Sequence, residues 1–151
     1  MKVRDILEPG NVILDLRASD KRRLIDELAR RSAGTAGVGP DVISEALNAR
    51  EALGSTGMGA GIAIPHARLA TLTRPLGLFA RLRQPLDFDA IDGQRVDLVF
   101  LLLLPTQSQG EHLNALACVA RRLRAEGIRA SLRRAHDPQV AYAILMEDEA
   151  G

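Results

Sequence analysis

Cysteine is nearly absent from the sequence: among its 151 residues there is only one, Cys118. A single cysteine excludes a disulfide bond within the chain. Because a free cysteine commonly packs as a small hydrophobic side chain, we expect Cys118 to lie in a helix as a structural residue.

Aromatic residues and an excess of one sign of charge are also missing. Aromatic residues make up 3% of the sequence, and 20 lysines and arginines face 19 aspartates and glutamates, which leaves a net charge of +1. Binding of single-stranded nucleic acid depends on stacking against aromatic side chains, and duplex binding depends on a clustered basic surface. We therefore predict no nucleic-acid partner.

The sequence also lacks a hydrophobic run long enough to cross a bilayer. Its longest apolar run covers residues 98–104, whereas a membrane-spanning helix needs ~20 residues. No positively charged and then apolar leader opens the chain, so no secretory signal is visible. These absences predict a cytoplasmic protein without membrane insertion, and the length predicts a single domain over residues 1–151.

What the sequence does contain is an alternation of strand-like and helix-like segments. We predict about four strands and five helices, counting a helix near residues 128–135, and this mixture indicates a three-layer α/β domain. The run at 98–104 is apolar throughout, which predicts a central strand buried on both faces. Asp92-Gly93 predicts a hairpin turn before that strand. The other predicted strands cover residues 12–14, 62–64 and 76–82.

Capping residues and breakers predict where the helices begin and end. Ser19 is the predicted N-cap of the first helix, which Gly34 ends, and Pro40 begins the second helix. Residues 108–111 fit the capping box S-x-x-E before a later helix. Asp137-Pro138 predicts the start of the last helix.

Arg50 stands at an unusual place in the second helix. It follows Leu47 by three residues and Ala46 by four, so it lies on the same inward side as the apolar stripe. An inward arginine needs an anionic partner or a solvated exit. A salt bridge to a carboxylate and a contact with phosphate both satisfy that requirement.

Glycine is concentrated just after this helix, where four of the residues from 54 to 61 are glycines. Such a segment predicts an open loop with accessible N–H groups. It then tightens into the short strand at 62–64, which Pro65 ends, and His66 follows directly. A histidine beside backbone donors is suited to carrying a phosphoryl group on its imidazole ring.

Two nucleotide motifs and a metal site are not supported. The glycine spacing is G-x-G-x-G and a strand-like segment follows, whereas the dinucleotide motif is G-x-G-x-x-G before a helix. A P-loop needs a lysine, and the only lysines are Lys2 and Lys21. The histidines lack the H-x₃-H spacing and a cysteine pattern that would complete a zinc site. We predict no cofactor and no metal.

Residues 61–68, Gly-Ile-Ala-Ile-Pro-His-Ala-Arg, resemble the phosphorylation site of enzyme IIA of the bacterial phosphoenolpyruvate-dependent phosphotransferase system. The type is the fructose/mannitol/nitrogen-regulatory one, and the chain looks most like its nitrogen-regulatory members. Residues 50–57 and His112-Leu113 also match, and the resemblance covers about residues 3–147. It implies a mixed β-sheet flanked by helices.

The resemblance also implies roles for single residues. It makes His66 the phosphoryl acceptor, Arg50 the residue that neutralises phosphoryl oxygens, and His112 a partner of the acceptor histidine. Ser55 and Thr56, within the match at 50–57, are expected to help bind the phosphate.

The residue patterns alone leave alternatives open. His66 could be an inert histidine at the end of a strand, and His112 could pack on the apolar face of its helix with Leu116. His136 precedes a helix start, and we assign it no role.

Three functions follow from these observations. The resemblance implies a phosphohistidine carrier that accepts a phosphoryl group from a histidine-containing phosphocarrier protein and, as a nitrogen-branch regulator, controls downstream target proteins. A second possibility is a sugar-specific enzyme IIA that feeds an acceptor domain of a separate fructose or mannitol permease. A third is a regulatory binding module whose His66 is never phosphorylated.

Overall fold

The computed structural model describes residues 1–107 and 109–147. Its strands and helices alternate irregularly along the chain. The strands are β1 (Val12–Leu16), β2 (Gly57–Gly59), β3 (Ile62–Ala63), β4 (His66–Leu69), β5 (Leu76–Leu86) and β6 (Val96–Pro105). The helices are α1 (Lys21–Ala36), α2 (Pro40–Glu51), α3 (Gln109–Arg124), α4 (Glu126–Arg134) and α5 (Pro138–Met146), and short 3₁₀ turns lie at Val3–Asp5 and Pro9–Asn11.

Strand β6 is the centre of the sheet, as the apolar run over its residues 98–104 predicts. It pairs with β5 on one side and with β3 and β4 on the other. Leu101 and Leu103 pack into the hydrophobic cluster on one face, and Phe100 and Leu102 into the cluster on the other. Because side chains alternate between faces, the stretch of a strand that is buried on both faces must be apolar at successive positions.

Helices cover both faces of the sheet, so the predicted three-layer α/β architecture is confirmed. Helices α1 and α2 contribute Leu28 and Leu47 to the cluster on one face. Helices α3, α4 and α5 contribute Val119, Leu132 and Leu145 to the cluster on the other. Each helix therefore buries one apolar stripe against the sheet.

The sheet is mixed, as the family resemblance implies. Its strand order is β1-β5-β6-β3-β2, with β4 also paired to β6. Strands β5 and β6 are antiparallel and form the predicted hairpin, whereas β1 runs parallel to β5, and both β3 and β4 run parallel to β6. The parallel pairs bring the start of β4 to the middle of β6, where His66 pairs with Leu102.

The predicted number of strands was too low. The sheet has six strands among the described residues, because β2 and β4 are short and lie in the glycine-rich stretch and directly after it. Strand β5 also continues past residue 82 to Leu86. A register shift between Arg81 and Leu86 lets Pro85 be accommodated there, since proline cannot donate a ladder hydrogen bond.

Helix α1 begins and ends later than predicted. Asp20, not Ser19, is its N-cap, and the Asp20 carboxylate accepts a hydrogen bond from the Arg23 backbone N–H. Gly34 lies inside the helix, and the C-cap is Gly37 in the left-handed conformation at φ 74°. A glycine is tolerated inside a packed helix, whereas the left-handed C-cap favours one.

Three of the other helix predictions are confirmed, and one lies partly outside the described residues. Pro40 begins α2, Asp137 caps α5 through the Val140 N–H, and α4 covers the helix predicted near residues 128–135. The predicted capping box at 108–111 lies partly outside the described residues, which exclude residue 108.

Three arginines fasten the layer of helices α3 and α4 to the sheet and to each other. Arg81, on β5, donates to the carbonyls of Leu132 and Ala135 at the end of α4. Arg129 donates to the Leu123 carbonyl at the end of α3, and Arg133 forms a two-pronged ion pair with Asp97 of β6. Cationic side chains satisfy free carbonyls at helix ends, so these charges are structural.

Within residues 1–107 and 109–147, no helix combines the length and the apolar character that a membrane crossing requires.

Candidate functional site

The candidate site lies at the short strand β4, whose register against β6 orients its side chains. His66 pairs with Leu102 and Arg68 with Leu104. Residues two apart in a strand point to the same face, so His66 and Arg68 lie side by side. Ala67, between them, is buried in the cluster beneath α1 and α2. Within β4 the core therefore takes Ala67 and Leu69, and His66 and Arg68 are left for the site.

The backbone fixes one nitrogen of the His66 ring. Nδ1 lies 2.9 Å from the carbonyl oxygen of Ile64, two residues earlier. A carbonyl oxygen can only accept, so in this contact Nδ1 carries the hydrogen. In a neutral imidazole the lone pair then lies on Nε2.

Arg50 approaches that lone pair. Its Nε lies 3.3 Å from His66 Nε2, and its Nη1 donates to the Gly54 carbonyl at 2.9 Å. An arginine has no acceptor, so the first contact requires an unprotonated Nε2 and agrees with the tautomer set by Ile64. The second contact holds the guanidinium at the end of α2. The predicted inward direction of Arg50 is confirmed, since its partner is the histidine.

A second histidine faces the first from a different element. His112 lies in the first turns of α3, and its ring centroid is 5.8 Å from that of His66, with the ring planes at 77°. Arg68 Nε donates to His112 Nδ1 at 3.3 Å. Two strand residues, one residue at the end of α2 and one in α3 therefore converge on one half-buried patch.

Both histidines are held in their neutral form near pH 7. Burial is the main cause that lowers the pKa of His66, and the Arg50 and Arg68 charges lower it further, while the Ile64 carbonyl and Glu51 act in the opposite direction. Burial also lowers the pKa of His112, followed by Arg68 and His66. A neutral imidazole has the free lone pair that a nucleophile needs.

The glycine-rich stretch is not the open loop that the sequence predicts. Residues 57–59 form β2, which pairs antiparallel with β3 to make a tight hairpin. The Gly57 N–H donates to the Ser55 hydroxyl, and the Ala60 N–H donates to the Asp92 carboxylate. The glycines serve close packing: a Cβ on Gly57 would lie 2.9 Å from Ala90. These N–H groups are used within the fold.

Ser55 and Thr56 have protein partners rather than free hydroxyls. Ser55 donates to the Phe88 carbonyl at 2.6 Å. Thr56 is buried, and its hydroxyl donates to the Glu51 carboxylate, which also accepts from the Thr56 N–H at 3.0 Å. Neither residue is among those that contact the His66 ring, and their phosphate-binding role stays a prediction.

Glu51 forms a buried ion pair directly beside Arg50. Its side chain is 6% exposed, and it lies 3.0 Å from the ammonium group of Lys21, at the start of α1. The same ammonium group lies 4.5 Å from the centre of the Phe88 ring. A charge that is both paired and hydrogen-bonded tolerates burial. This pair joins the last turn of α2 to α1.

Two contributors were missed from the sequence. Arg68 was part of the recognised motif but received no role, although the i, i+2 rule would have placed it beside His66. Glu51 was also unassigned, because nothing in a single sequence pairs it with Lys21. Among the described residues, no His, Cys, Asp and Glu side chains gather as a set that could hold a metal ion.

Comparisons with known proteins match nearly the whole chain. The family model described as "Phosphoenolpyruvate-dependent sugar phosphotransferase system, EIIA 2" matches residues 5–148. The chain is 43% identical to a nitrogen regulatory protein of Bradyrhizobium diazoefficiens over 145 residues, which cover 96% of this chain and 95% of the relative. It is 36% identical to a fructose-specific EIIA component of Haloferax volcanii, over 71% of this chain and 70% of that relative.

A solved structure supports the fold over the same range. The nitrogen regulatory protein IIA-Ntr from Neisseria meningitidis superposes with a TM-score of 0.90 at 38% sequence identity, covering 95% of this chain and 98% of that one. The two chains therefore share one fold over nearly their whole length.

Proposed function

Because the chain belongs to the EIIA 2 family of the phosphoenolpyruvate-dependent sugar phosphotransferase system, we propose that it is a phosphohistidine carrier in the nitrogen-regulatory branch of that system. His66 is the acceptor, and the donor is the phosphohistidine of a histidine-containing phosphocarrier protein. Donor and acceptor must share a compartment, which the sequence predicts to be the cytoplasm.

One observation carries the proposal: the Nδ1 hydrogen of His66 is engaged with the Ile64 carbonyl, at 2.9 Å, while Nε2 faces the Arg50 guanidinium. The nucleophilic lone pair is thereby assigned to Nε2. An arginine beside a nucleophile lowers its basicity slightly, but it also places positive charge where phosphoryl oxygens arrive. Both features support an anion that bonds to nitrogen at this site.

The transfer balances without moving a proton. The phosphorylated donor ring is positively charged and carries a hydrogen on its other nitrogen. A bond forms between His66 Nε2 and phosphorus as the phosphorus–nitrogen bond of the donor breaks, and the donor ring leaves as a neutral imidazole with that electron pair. The His66 ring becomes positively charged and keeps its hydrogen on Nδ1. The hydrogen bond to Ile64 then becomes charge-assisted, which stabilises the phosphorylated ring.

Positioning and charge are the main requirements of phosphoryl transfer. Arg50 is placed to neutralise phosphoryl oxygens at Nε2, and the Gly54 carbonyl holds its guanidinium there. His112 adds a polar ring 5.8 Å away, measured between centroids. No nucleotide is needed, because the donor already carries an activated phosphoryl group.

Exposed leucines border these residues and suit a protein partner. Leu53, three residues after Arg50, is 84% exposed, and Leu113, next to His112, is 67% exposed. Apolar side chains at the surface beside a polar site are typical of a protein interface. We propose that the donor and the downstream partners dock there.

The similarity to nitrogen regulatory proteins over nearly the whole chain favours the regulatory branch. In that branch the phosphorylation state of His66 controls binding to target proteins. The similarity to a fructose-specific EIIA component favours, as the second candidate, delivery of the phosphoryl group to a sugar-specific acceptor domain.

The first experiment supplies phosphoenolpyruvate, the general phosphotransferase enzyme and its phosphocarrier protein. Acid-labile phosphate should appear on the wild-type chain and on Nε2 of His66, as read by ³¹P and ¹⁵N nuclear magnetic resonance. Phosphate on Nδ1 would contradict the assigned tautomer. No uptake at all would favour the third possibility, a binding module that is never phosphorylated.

A second experiment separates the two branches. Purified phosphorylated chain is mixed with a fructose- or mannitol-type acceptor domain from the same organism, and loss of phosphate from His66 is followed over time. A regulator should retain its phosphate and should instead show different affinities for a captured target protein in its two states. Rapid transfer to the acceptor domain, with equal target affinities, would favour the sugar branch.

A further inference from the structure

Arg68 occupies a position that the proposed reaction does not yet use. It lies two residues after His66 on β4, on the same face, and its side chain is exposed. Its Nε donates to His112 Nδ1 at 3.3 Å. Arg68 therefore contacts the second histidine, whereas Arg50 contacts the first.

This contact restricts the protonation state of His112. A guanidinium group is permanently charged and carries only donors, so Nδ1 of His112 must offer its lone pair. An imidazolium ring has hydrogens on both nitrogens and could not accept this bond. His112 is thus neutral, and its one hydrogen is on Nε2, at the side of the ring away from Arg68.

The surrounding charges act in the same direction. Burial is the main cause that lowers the pKa of His112, and among the described residues the charged and titratable groups of β4, Arg68 and His66, lower it further. A neutral His112 adds no positive charge that would lower the nucleophilicity of His66, yet it keeps one hydrogen-bond donor.

We propose that Arg68 is a positioning residue that holds His112 as the neutral Nε2–H tautomer, so that His112 donates a hydrogen bond from Nε2 to an oxygen of the phosphoryl group arriving at His66. The inference rests on the proposed function and goes further, because it gives Arg68 a role that acts through His112. Arg50 neutralises charge directly, and Arg68 sets a hydrogen position.

The test compares Arg68→Ala, Arg68→Lys and the control Arg83→Ala. Arg83 is an exposed arginine of β5, two residues after Arg81. Arg81 pairs with Leu98 near the start of β6, whereas His66 pairs with Leu102 farther along that strand. The control therefore removes the same charge away from the site. Lysine keeps a charged donor for His112 Nδ1 but loses the planar geometry of arginine.

The first readout uses the unphosphorylated protein and does not depend on transfer. In the wild type, ¹⁵N shifts should show His112 protonated at Nε2 and bare at Nδ1. Arg68→Ala should give a mixture of tautomers and a higher pKa for His112, Arg68→Lys an intermediate result, and Arg83→Ala the wild-type pattern. A wild-type tautomer pattern in Arg68→Ala would overturn the proposal.

The second readout is the single-turnover rate of phosphoryl transfer to His66. Arg68→Ala should slow it by about tenfold, the low end of the loss of one hydrogen bond to a charged group, and Arg83→Ala should leave it unchanged. In a His112→Ala background, Arg68→Ala should have no further effect on the rate, because its role acts through His112.

The double variant separates positioning from direct contact. A further loss of rate when Arg68 is replaced in the His112→Ala protein would mean that Arg68 binds the phosphoryl group itself, which overturns the proposal. If the wild type takes up no phosphate, the proposed function fails while the tautomer readout still tests the Arg68–His112 contact.

Discussion

The two histidines of the site have opposite hydrogen-bond arrangements. In His66, Nδ1 is the donor, to a backbone carbonyl, and Nε2 is the acceptor, from Arg50. In His112, Nδ1 is the acceptor, from Arg68. Under the two proposals, the same residue type therefore acts as a nucleophile in one place and as a hydrogen-bond donor in the other.

The difference shows that the partners of a histidine, rather than its position in a motif, determine its chemistry. A carbonyl two residues away along the chain is a rigid partner, and it selects the nitrogen that carries a lone pair. An exposed arginine side chain is a more mobile partner than a backbone carbonyl. We therefore expect His66 to be more sensitive to replacement than His112, and four predictions test that comparison.

The largest effect is expected from removing the two rings in turn. His66→Ala should abolish acid-labile phosphate on the chain, because it removes the ring whose Nε2 lone pair faces Arg50. His112→Ala should still be phosphorylated at His66, with a rate lowered by about tenfold through the loss of one hydrogen bond. Phosphate uptake at equal rates in the two variants would remove the distinction between nucleophile and helper. Circular dichroism checks that both variants fold.

The next effect concerns Arg50. Arg50→Ala should lose a charge-assisted contact worth roughly 1.5–3 kcal/mol, or ~10- to 150-fold in transfer rate if the contact forms only in the transition state. Arg50→Lys should retain part of the rate, since lysine keeps the positive charge but lacks the planar, forked donor geometry of the guanidinium group. The melting temperature and the single-turnover rate are measured on the same samples. A destabilised Arg50→Ala protein with the wild-type rate would show a structural role only.

A smaller effect is expected from pH. Transfer needs neutral His66, and burial together with Arg50 lowers its pKa, so the rate should stay constant down to and somewhat below pH ~6.5 and then fall about tenfold per unit. Arg50→Ala should move this acid limb to higher pH, because it removes a charge that lowers the pKa of His66. An acid limb above pH ~6.5 in the wild type would contradict the assignment.

The same depressed pKa affects stability, and this needs a control. A histidine with a lowered pKa in the folded state binds its proton more readily when the chain is unfolded. The free energy of unfolding should therefore decrease as pH falls from ~6.5 toward the folded pKa. Thermal melts at each pH show whether a loss of rate reflects unfolding.

The smallest effect on transfer is expected at Thr56, where the structure and the sequence prediction can be set against each other. Thr56→Val removes the hydroxyl that bonds to buried Glu51 and keeps the shape. It should lower the free energy of unfolding by about 1–3 kcal/mol, because one carboxylate oxygen loses its partner, and leave the transfer rate unchanged. A slower transfer with unchanged stability would support the phosphate-binding role predicted for Thr56.

The fold was predictable where burial dictates composition. Strand β6 and the apolar stripe of α2 could be read directly, because each must fill a core. The position of His66 beside Arg50 followed from a recognisable motif together with helical spacing.

What could not be predicted depends on neighbours distant in sequence. The glycine-rich stretch forms a hairpin because Gly57 packs against Ala90 and Ala60 bonds to Asp92, and neither contact leaves a trace in the local pattern. His112 meets Arg68 across 44 positions of the chain, and no local pattern predicts that contact. Short strands form because they pair with neighbouring strands of the sheet, so β2 and β4 were not predicted.

The burial of one residue of β4 also favours the strand register in which the site can form. A slip of one residue against β6 would turn His66 and Arg68 to the opposite face and expose Leu69, which is now 4% exposed. Losing the burial of that leucine costs about 1.5–3 kcal/mol, before the cost of burying an arginine. A chain with the slipped register, which under the proposed function could not carry a phosphoryl group, is therefore also less stable. Core packing thus selects the register that the proposed chemistry requires.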